Sequence, residues 1–342
     1  MALQILWFVL WGLLWAVYFM LDGFDFGVSM LRPFLARDEA ERRVALHAIG
    51  PVWNGNEVWL ITAGGATFAA FPAVYASMFS FLYLPMLLIL FSLILRGVAI
   101  EFRAKVEDPR WHGVWDWVLA VSSFTAPLVL GLGFGNIFRG LAFDPAGYHG
   151  TFWMLFNPYG LLTALLFIVL FLQHGAVWLS FRSEGELAER SRKFAGTLWY
   201  VVLVVAAGFL VATAFATKLL GNFVSDPGWF LVPLLAVLAL VDVKMFLSRG
   251  RALPAFIASC ATIVLVIATG LIGLYPNLIP SRLDPSAGLT IFNSSSSQYT
   301  LRVMTIVALI FVPIVIAYQF LVYRFFRKPV TKEEASEETE GY

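Results

Sequence analysis

MALQILWFVLWGLLWAVYFMLDGFDFGVSML, residues 1–31, contains no Lys or Arg, and its only charged side chains are Asp22 and Asp25. About 20 helical residues cross the ~30 Å hydrocarbon core of a bilayer. The run is too long for the apolar region of a secretory signal, and it has neither a basic leader nor a small-residue cleavage site. It is therefore expected to stay in place as a first membrane helix. The rest of the chain agrees with that start. Its 342 residues are 60% apolar and 13% charged, against roughly a quarter charged in soluble domains, so one polar surface around one core is excluded. Further apolar windows at 50–71, 76–102, 114–138, 152–181, 196–219, 229–247, 253–275 and 301–325 predict nine transmembrane helices and an all-α integral membrane protein.

A net charge of +1 leaves no basic stripe for a nucleic-acid backbone. One cysteine, Cys260, rules out a disulfide framework, a thiolate zinc site and an iron–sulfur cluster. Lys and Arg in short loops remain cytoplasmic. Arg32, Arg37, Arg42 and Arg43 fall in 32–46, Arg103, Lys105 and Arg110 in 103–113, and Arg182, Arg190, Arg192 and Lys193 in 182–195. With the seventh turn and the tail, 18 of the 23 basic residues lie on one side, which sets the N-terminus outside and the C-terminus in the cytoplasm. The outer connection 276–300, with Pro276, Pro280, Pro285 and the run Asn293 to Ser297, reads as a flexible linker, and the acidic end reads as a solvated tail. No 20–50-residue period repeats, so solenoids are excluded.

Ionisable groups at membrane depth are costly and usually face a bundle interior. Asp22 and Asp25 lie near the inner end of the first span, three apart, and Asn54 and Glu57 share that spacing in the second. Arg96 and Glu101 close the third span, and Asp116 opens the fourth. Each alone could be a structural ion pair fixing helix register. Together, several carboxylates face Arg96 as the one buried cation, which leaves acids able to exchange protons with the cytoplasmic side.

Other features have plainer explanations. Ala63-Gly64-Gly65-Ala66 follows the small-residue spacing of closely packed helices. Asn157 before Pro158 reads as a helix cap with proline at the first helical position. Of four histidines only His174 lies well inside a span, and a lone His is better explained as a hydrogen-bonded core residue than as a haem ligand.

The run Asp22-Gly23-Phe24-Asp25-Phe26-Gly27 with Met30-Leu31, followed from Pro51 by PVWNGNEVWLITAGGATFAAFP, resembles subunit II of the cytochrome bd-type quinol oxidases. FNPYGLL at 156–162 and LDPSAGLTIFNSSSSQYTLRVM at 283–304 extend the likeness over the whole chain. The resemblance implies a subunit of a terminal oxidase that oxidises quinol and reduces dioxygen to water. It implies two four-helix bundles, here 1–138 and 152–275, then the outer loop 276–300, a peripheral ninth helix at 301–326 and the polar cytoplasmic tail 327–342. By the same resemblance, the haem b and haem d groups and the quinol site belong to subunit I. This chain would stabilise that partner, supply part of the cytoplasmic proton path and have room for a bound quinone or other lipid. A small single-span subunit would accompany the pair in a bacterial cytoplasmic membrane.

By position, Asp25 matches the family's proton-route acid. Asn54 departs from it, since many relatives have an acid between the Trp and Gly of this motif, while Glu57 stands where some have Gln. The carboxylate would thus have moved one turn along the path, with Asn54 kept as a hydrogen-bonding station. Asp22, Arg96, Glu101 and Asp116 would form the supporting charges. Two rivals are a cation-coupled secondary transporter, which should show broken midplane helices in both halves, and a purely structural scaffold.

Overall fold

The computed structural model describes residues 1–337, so residues 338–342 of the expected tail lie outside the described residues. The chain folds in the order α1 (Ala2–Leu35), α2 (Glu39–His47), α3 (Trp53–Ala70), α4 (Pro72–Phe81), α5 (Tyr83–Phe102) and α6 (Pro109–Arg139). A short hairpin, β1 (Phe143–Asp144) with β2 (Gly147–Tyr148), leads to α7 (Pro158–Arg182), α8 (Gly185–Ala216), α9 (Leu220–Ser225), α10 (Leu231–Ser248) and α11 (Ala252–Leu274). A second hairpin, β3 (Asn277–Ile279) with β4 (Leu289–Thr290), precedes α12 (Gln298–Phe325) and the terminal turn α13 (Glu334–Glu337).

Among the described residues, eight helices are long and apolar enough to cross a membrane: α1, α5, α6, α7, α8, α10, α11 and α12. The ninth expected span, 50–71, forms α3, but Asn54, Asn56, Glu57 and several small residues keep it below that hydropathy. The expected span 76–102 is two helices rather than one. Pro72 starts α4 after a break at Phe71, and Leu82 leaves helical geometry before α5. At α7 the cap reads as expected, with the Asn157 side chain accepting from the Gly160 N–H at 3.0 Å and Pro158 in the first turn.

Helices α1, α6 and α7 form the centre, with α3, α5, α8 and α11 packed around them and α10 on α11. Glycine allows the closest crossing. A Cβ on Gly27 of α1 would lie 1.9 Å from the Phe171 carbonyl oxygen and 2.9 Å from the Gly175 Cα of α7. By contrast, a Cβ on Gly64 or Gly65 would meet nothing within 4 Å, so the small-residue stretch of α3 does not mark a helix crossing within this chain. Only one face of α3 is covered: Trp53, Asn56, Trp59, Ala63, Thr67 and Ala70 are buried, at helical spacing, while Val58, Ile61 and Phe68 are exposed.

The connection 276–300 is not a flexible linker. Ile279 and Ile291 are fully buried, Ser296 donates from its backbone to Ala70 O at 2.8 Å and from its hydroxyl to Ala69 O at 2.6 Å, and Gln4 donates to Ser295 Oγ at 2.8 Å. The serines satisfy the carbonyls left open at the end of α3, which is work a composition count cannot distinguish from solvation. Helix α12 is bare along its length but pinned at points: Trp7 Nε1 donates to Leu301 O at 3.1 Å, and Trp59 Nε1 donates to Gln319 Oε1 at 3.0 Å.

Candidate functional site

The predicted polar residues divide into two groups. The inner group lies where α1, α3 and α5 meet. Asp22, Asp25 and Arg96 are all 0% exposed. Arg96 Nη1 is 2.7 Å from Asp22 Oδ1, and Nη2 donates to Asp22 Oδ2 at 3.1 Å and to Glu57 Oε2 at 2.9 Å. Its guanidinium carbon stands 4.3 Å from the centroid of Phe26, one face of the cation thus resting on an aromatic ring. Asp22 and Glu57 therefore share the cation.

Asp25 has none. Its Oδ2 accepts from Asn56 Nδ2 at 2.7 Å, and its Oδ1 is buried and, among the described residues, has no hydrogen-bond partner. Asn56 also donates to Leu21 O at 3.3 Å and accepts from the Tyr323 hydroxyl at 2.7 Å. The inner group therefore gathers three carboxylates around one guanidinium that pairs with two of them, an arrangement costly at membrane depth.

The outer group lies at the end of the bundle bearing α2. Asp116 Oδ1 accepts from Arg32 Nη2 at 2.5 Å and from Arg103 Nε at 2.6 Å, with Arg42 3.5 Å from Oδ2. Arg103 also forks onto both oxygens of Glu39 at 2.9 and 2.8 Å. Partial burial pushes the Glu39 carboxyl up, but the Arg103 fork outweighs it and holds the group below the usual carboxylate range. Arg96 is therefore not the one buried cation. Arg32, Arg103 and Arg182 are also buried, because basic residues at loop edges fold back over the helix ends. Asp116 belongs to this latch and not to the inner group. Glu101 is half-buried and, among the described residues, joins neither.

Asn54 is exposed on the open face of α3, and Asn56 makes the contact to Asp25. Residues two apart on a helix point ~160° away from each other. The signal was present in the sequence: Asn56 continues the row Trp53, Trp59, Ala63, Ala70 at three- and four-residue spacing, and Asn54 does not. Tyr323 carried no local signal, since its partner lies 267 residues away.

His174 makes two polar contacts, from Nδ1 to Ser259 Oγ at 2.8 Å and from Nε2 to Met20 O at 2.9 Å, and its ring stacks on Phe256 at 5.0 Å. A carbonyl only accepts, so Nε2 carries the proton and Nδ1 takes the serine hydroxyl. With neither ring nitrogen available to iron, this side chain does not fit the role of a haem ligand. Among the described residues, no three His, Cys, Asp or Glu are grouped to hold a metal. A mostly apolar cavity of about 310 Å³ opens among α7, α8, α10 and α11, lined by Phe167, Phe209, Phe223 and Val266 with Thr163 and Thr213 as polar points.

Residues 3–326 match the family model described as cytochrome bd terminal oxidase subunit II. The chain is 37% identical to cytochrome bd-I ubiquinol oxidase subunit 2 of Escherichia coli K12, over 99% of this chain and 98% of that one. It is 38% identical to cytochrome bd ubiquinol oxidase subunit 2 of Bacillus subtilis 168, over 97% and 98%. Its fold is like that of a chain in the bd oxidase of Geobacillus thermodenitrificans, with a TM-score of 0.79 over 95% of this chain and 99% of that one, at 18% identity.

Proposed function

The chain belongs to the cytochrome bd terminal oxidase subunit II family and so to a quinol:oxygen oxidoreductase complex, and from that premise we propose that it carries protons inward from the cytoplasm through Asp25 and Glu57. The observation behind this reading is Asp25: fully buried, uncompensated by a cation, and with one oxygen unengaged. Reducing one dioxygen to two waters consumes four protons, and drawing them from the cytoplasm while quinol releases its own outside creates a gradient without a pump. Carboxylates joined by waters can pass those protons.

The orientation we propose has nine spans, counting α3, with the N-terminus outside and α2 and the tail in the cytoplasm of a bacterial inner membrane. The helices form two four-helix bundles joined at the Gly27–Gly175 crossing, with α12 peripheral. The haems and the quinol site then reside on subunit I, which agrees with His174 having both nitrogens engaged. Subunit I would seat on the bare stripe of α3 that runs through Asn54, Val58, Ile61, Gly65 and Phe68, since an exposed Asn facing lipid is costly and a protein face is not. Asn54 then serves as a hydrogen-bonding station at that seam, one turn from Glu57. The cavity among α7, α8, α10 and α11 suits an apolar lipid or quinone tail. A small single-span subunit would complete the complex.

Asp25→Asn with Glu57→Gln keeps shape and removes titration. Oxygen consumption per haem should fall at least tenfold, with the yield of haem-loaded complex unchanged. Normal turnover per haem in this double variant would leave the chain a scaffold.

A further inference from the structure

Asn56 engages both its amide nitrogen and its amide oxygen. One N–H meets Asp25 Oδ2 at 2.7 Å, the amide nitrogen also faces the Leu21 carbonyl at 3.3 Å, and its oxygen accepts from Tyr323 at 2.7 Å. This fixes the direction of the amide. Reversed, it would set its oxygen against the Leu21 carbonyl and the Asp25 carboxylate, three acceptors with no hydrogen among them. The Tyr323 hydroxyl enforces the same direction by donating to the amide oxygen, and its ring is wedged edge-on between Phe24 at 6.5 Å and Trp178 at 6.1 Å. One turn earlier on α12, Gln319 donates to Gly55 O at 3.2 Å and accepts from Trp59 at 3.0 Å, so the segment bearing Tyr323 is pinned to α3 at three points.

The consequence falls on Asp25. Because Asn56 is fully buried and can only donate to Oδ2, that oxygen is held as an acceptor, which favours placing any proton the carboxyl takes on Oδ1, buried and, among the described residues, without a partner. The charged groups facing this carboxyl are Asp22 on its own helix, Glu57 on α3 and Arg96 on α5, and Arg96 is engaged by the other two acids. We propose that Tyr323 and Asn56 are positioning residues that select Oδ1 of Asp25 as the atom that accepts and releases the transported proton, so that the last long helix of the chain sets the geometry of a site on the first. In the forward step Oδ1 forms an O–H bond as a hydronium or water in the path gives up its own. In the return step the same bond breaks toward the next acceptor. Tyr323 and Asn56 keep their protons throughout. This rests on the proton-path role of Asp25 proposed above.

The test uses the assembled oxidase. Tyr323→Phe removes one hydroxyl and keeps the ring between Phe24 and Trp178, so haem-loaded complex should form in normal yield. Turnover per haem should drop about three- to tenfold, what one lost hydrogen bond is worth in rate. In redox-driven infrared difference spectra, the carboxyl band abolished by Asp25→Asn should be displaced in Tyr323→Phe, which a purely structural tyrosine would not cause. Adding Tyr323→Phe to Asp25→Asn should cost nothing further. If Tyr323→Phe lowers the yield, the band in the assembled fraction still decides. Full turnover in Asp25→Asn would overturn the proton-path reading itself. A slow Asp25→Asn beside a Tyr323→Phe with normal rate and an unmoved band would overturn the positioning role alone.

Discussion

Arg96→Leu should lower assembly sharply, and the same loss should be largely recovered by removing the acid it neutralises. Arg96 and Asp22 are both fully buried with oxygen–nitrogen distances of 2.7 and 3.1 Å, so the substitution leaves Asp22 a buried, unpaired carboxylate. Breaking a pair in that setting costs about 3–5 kcal/mol. Glu57, whose side chain is 21% exposed, adds only about 0.2–1 kcal/mol after solvent screening, and the lost contact with Phe26 adds about 0.5–2 kcal/mol. Against a total stability of about 5–15 kcal/mol, the pair alone shifts the folded-to-unfolded ratio by roughly two to four decades. The measurement is the amount of chain retained in membranes, with the haem content of the purified complex and its thermal midpoint. Arg96→Leu with Asp22→Leu replaces the pair by two apolar side chains, an exchange that is often neutral, and should return most of the lost complex. Wild-type assembly in the single variant, or no recovery in the double, would refute the assignment of Arg96 as the counter-charge of Asp22.

Gly27→Ala forces a Cβ to within 1.9 Å of a backbone oxygen that cannot rotate away, so α1 and α7 must separate. The variant should lower stability by about 1–3 kcal/mol, read as a reduced thermal midpoint of the complex. Reporter fusions should read outside after residue 290 and inside after the described end of the chain, and the reverse pattern would overturn the orientation and the proton route with it. Docking of the tail should be flat across neutral pH and weaken modestly in acid. The Glu41 backbone N–H and then Lys332 hold the Asp38 carboxyl below its usual range, so this contribution is complete above about pH 4 and is lost as pH falls through the lowered value. Asp38 in turn holds Lys332 above its usual range, so its contribution is complete below about pH 10 and is lost only as pH rises further. A nitroxide on Thr331→Cys should be immobilised from about pH 5 to 9 and somewhat more mobile in acid, the more so in high salt because both groups are exposed.

The long apolar helices were legible because hydropathy reports burial in lipid or protein without needing to know which. Helix α3 shows where that reasoning stops. Its open face carries Asn54 and Gly65, so it reads as a span by position yet falls short by composition. The serine run in 276–300 looked like solvent-exposed spacer because its partners, the carbonyls of Ala69 and Ala70, come from a helix end more than 200 residues earlier. Arg32 and Arg103 read as loop charges in the sequence, but their side chains turn inward to Asp116.

That inward turn separates the acids that the sequence had grouped by depth. Asp116 and Glu39 are met by Arg32, Arg42, Arg43 and Arg103, so two carboxylates face four guanidiniums and each negative charge has a fixed partner. Of Asp22, Asp25 and Glu57, Arg96 meets only Asp22 and Glu57, and among the described residues no cation pairs with Asp25. An acid saturated with cations resists protonation and serves as a tie between α1, α2 and α6, whereas an acid short of them can take a proton without abandoning an ion pair. The sequence placed Asp22, Asp25, Glu57 and Asp116 near one depth, and charge balance is what distinguishes the two groups. Charge balance depends on which side chains cross between helices: Arg96 reaches from α5 to Asp22 and Glu57, while Asp25 is met by the uncharged Asn56, which Tyr323 of α12 holds in turn. The residues that decide whether Asp25 does chemistry are therefore mostly not acids at all.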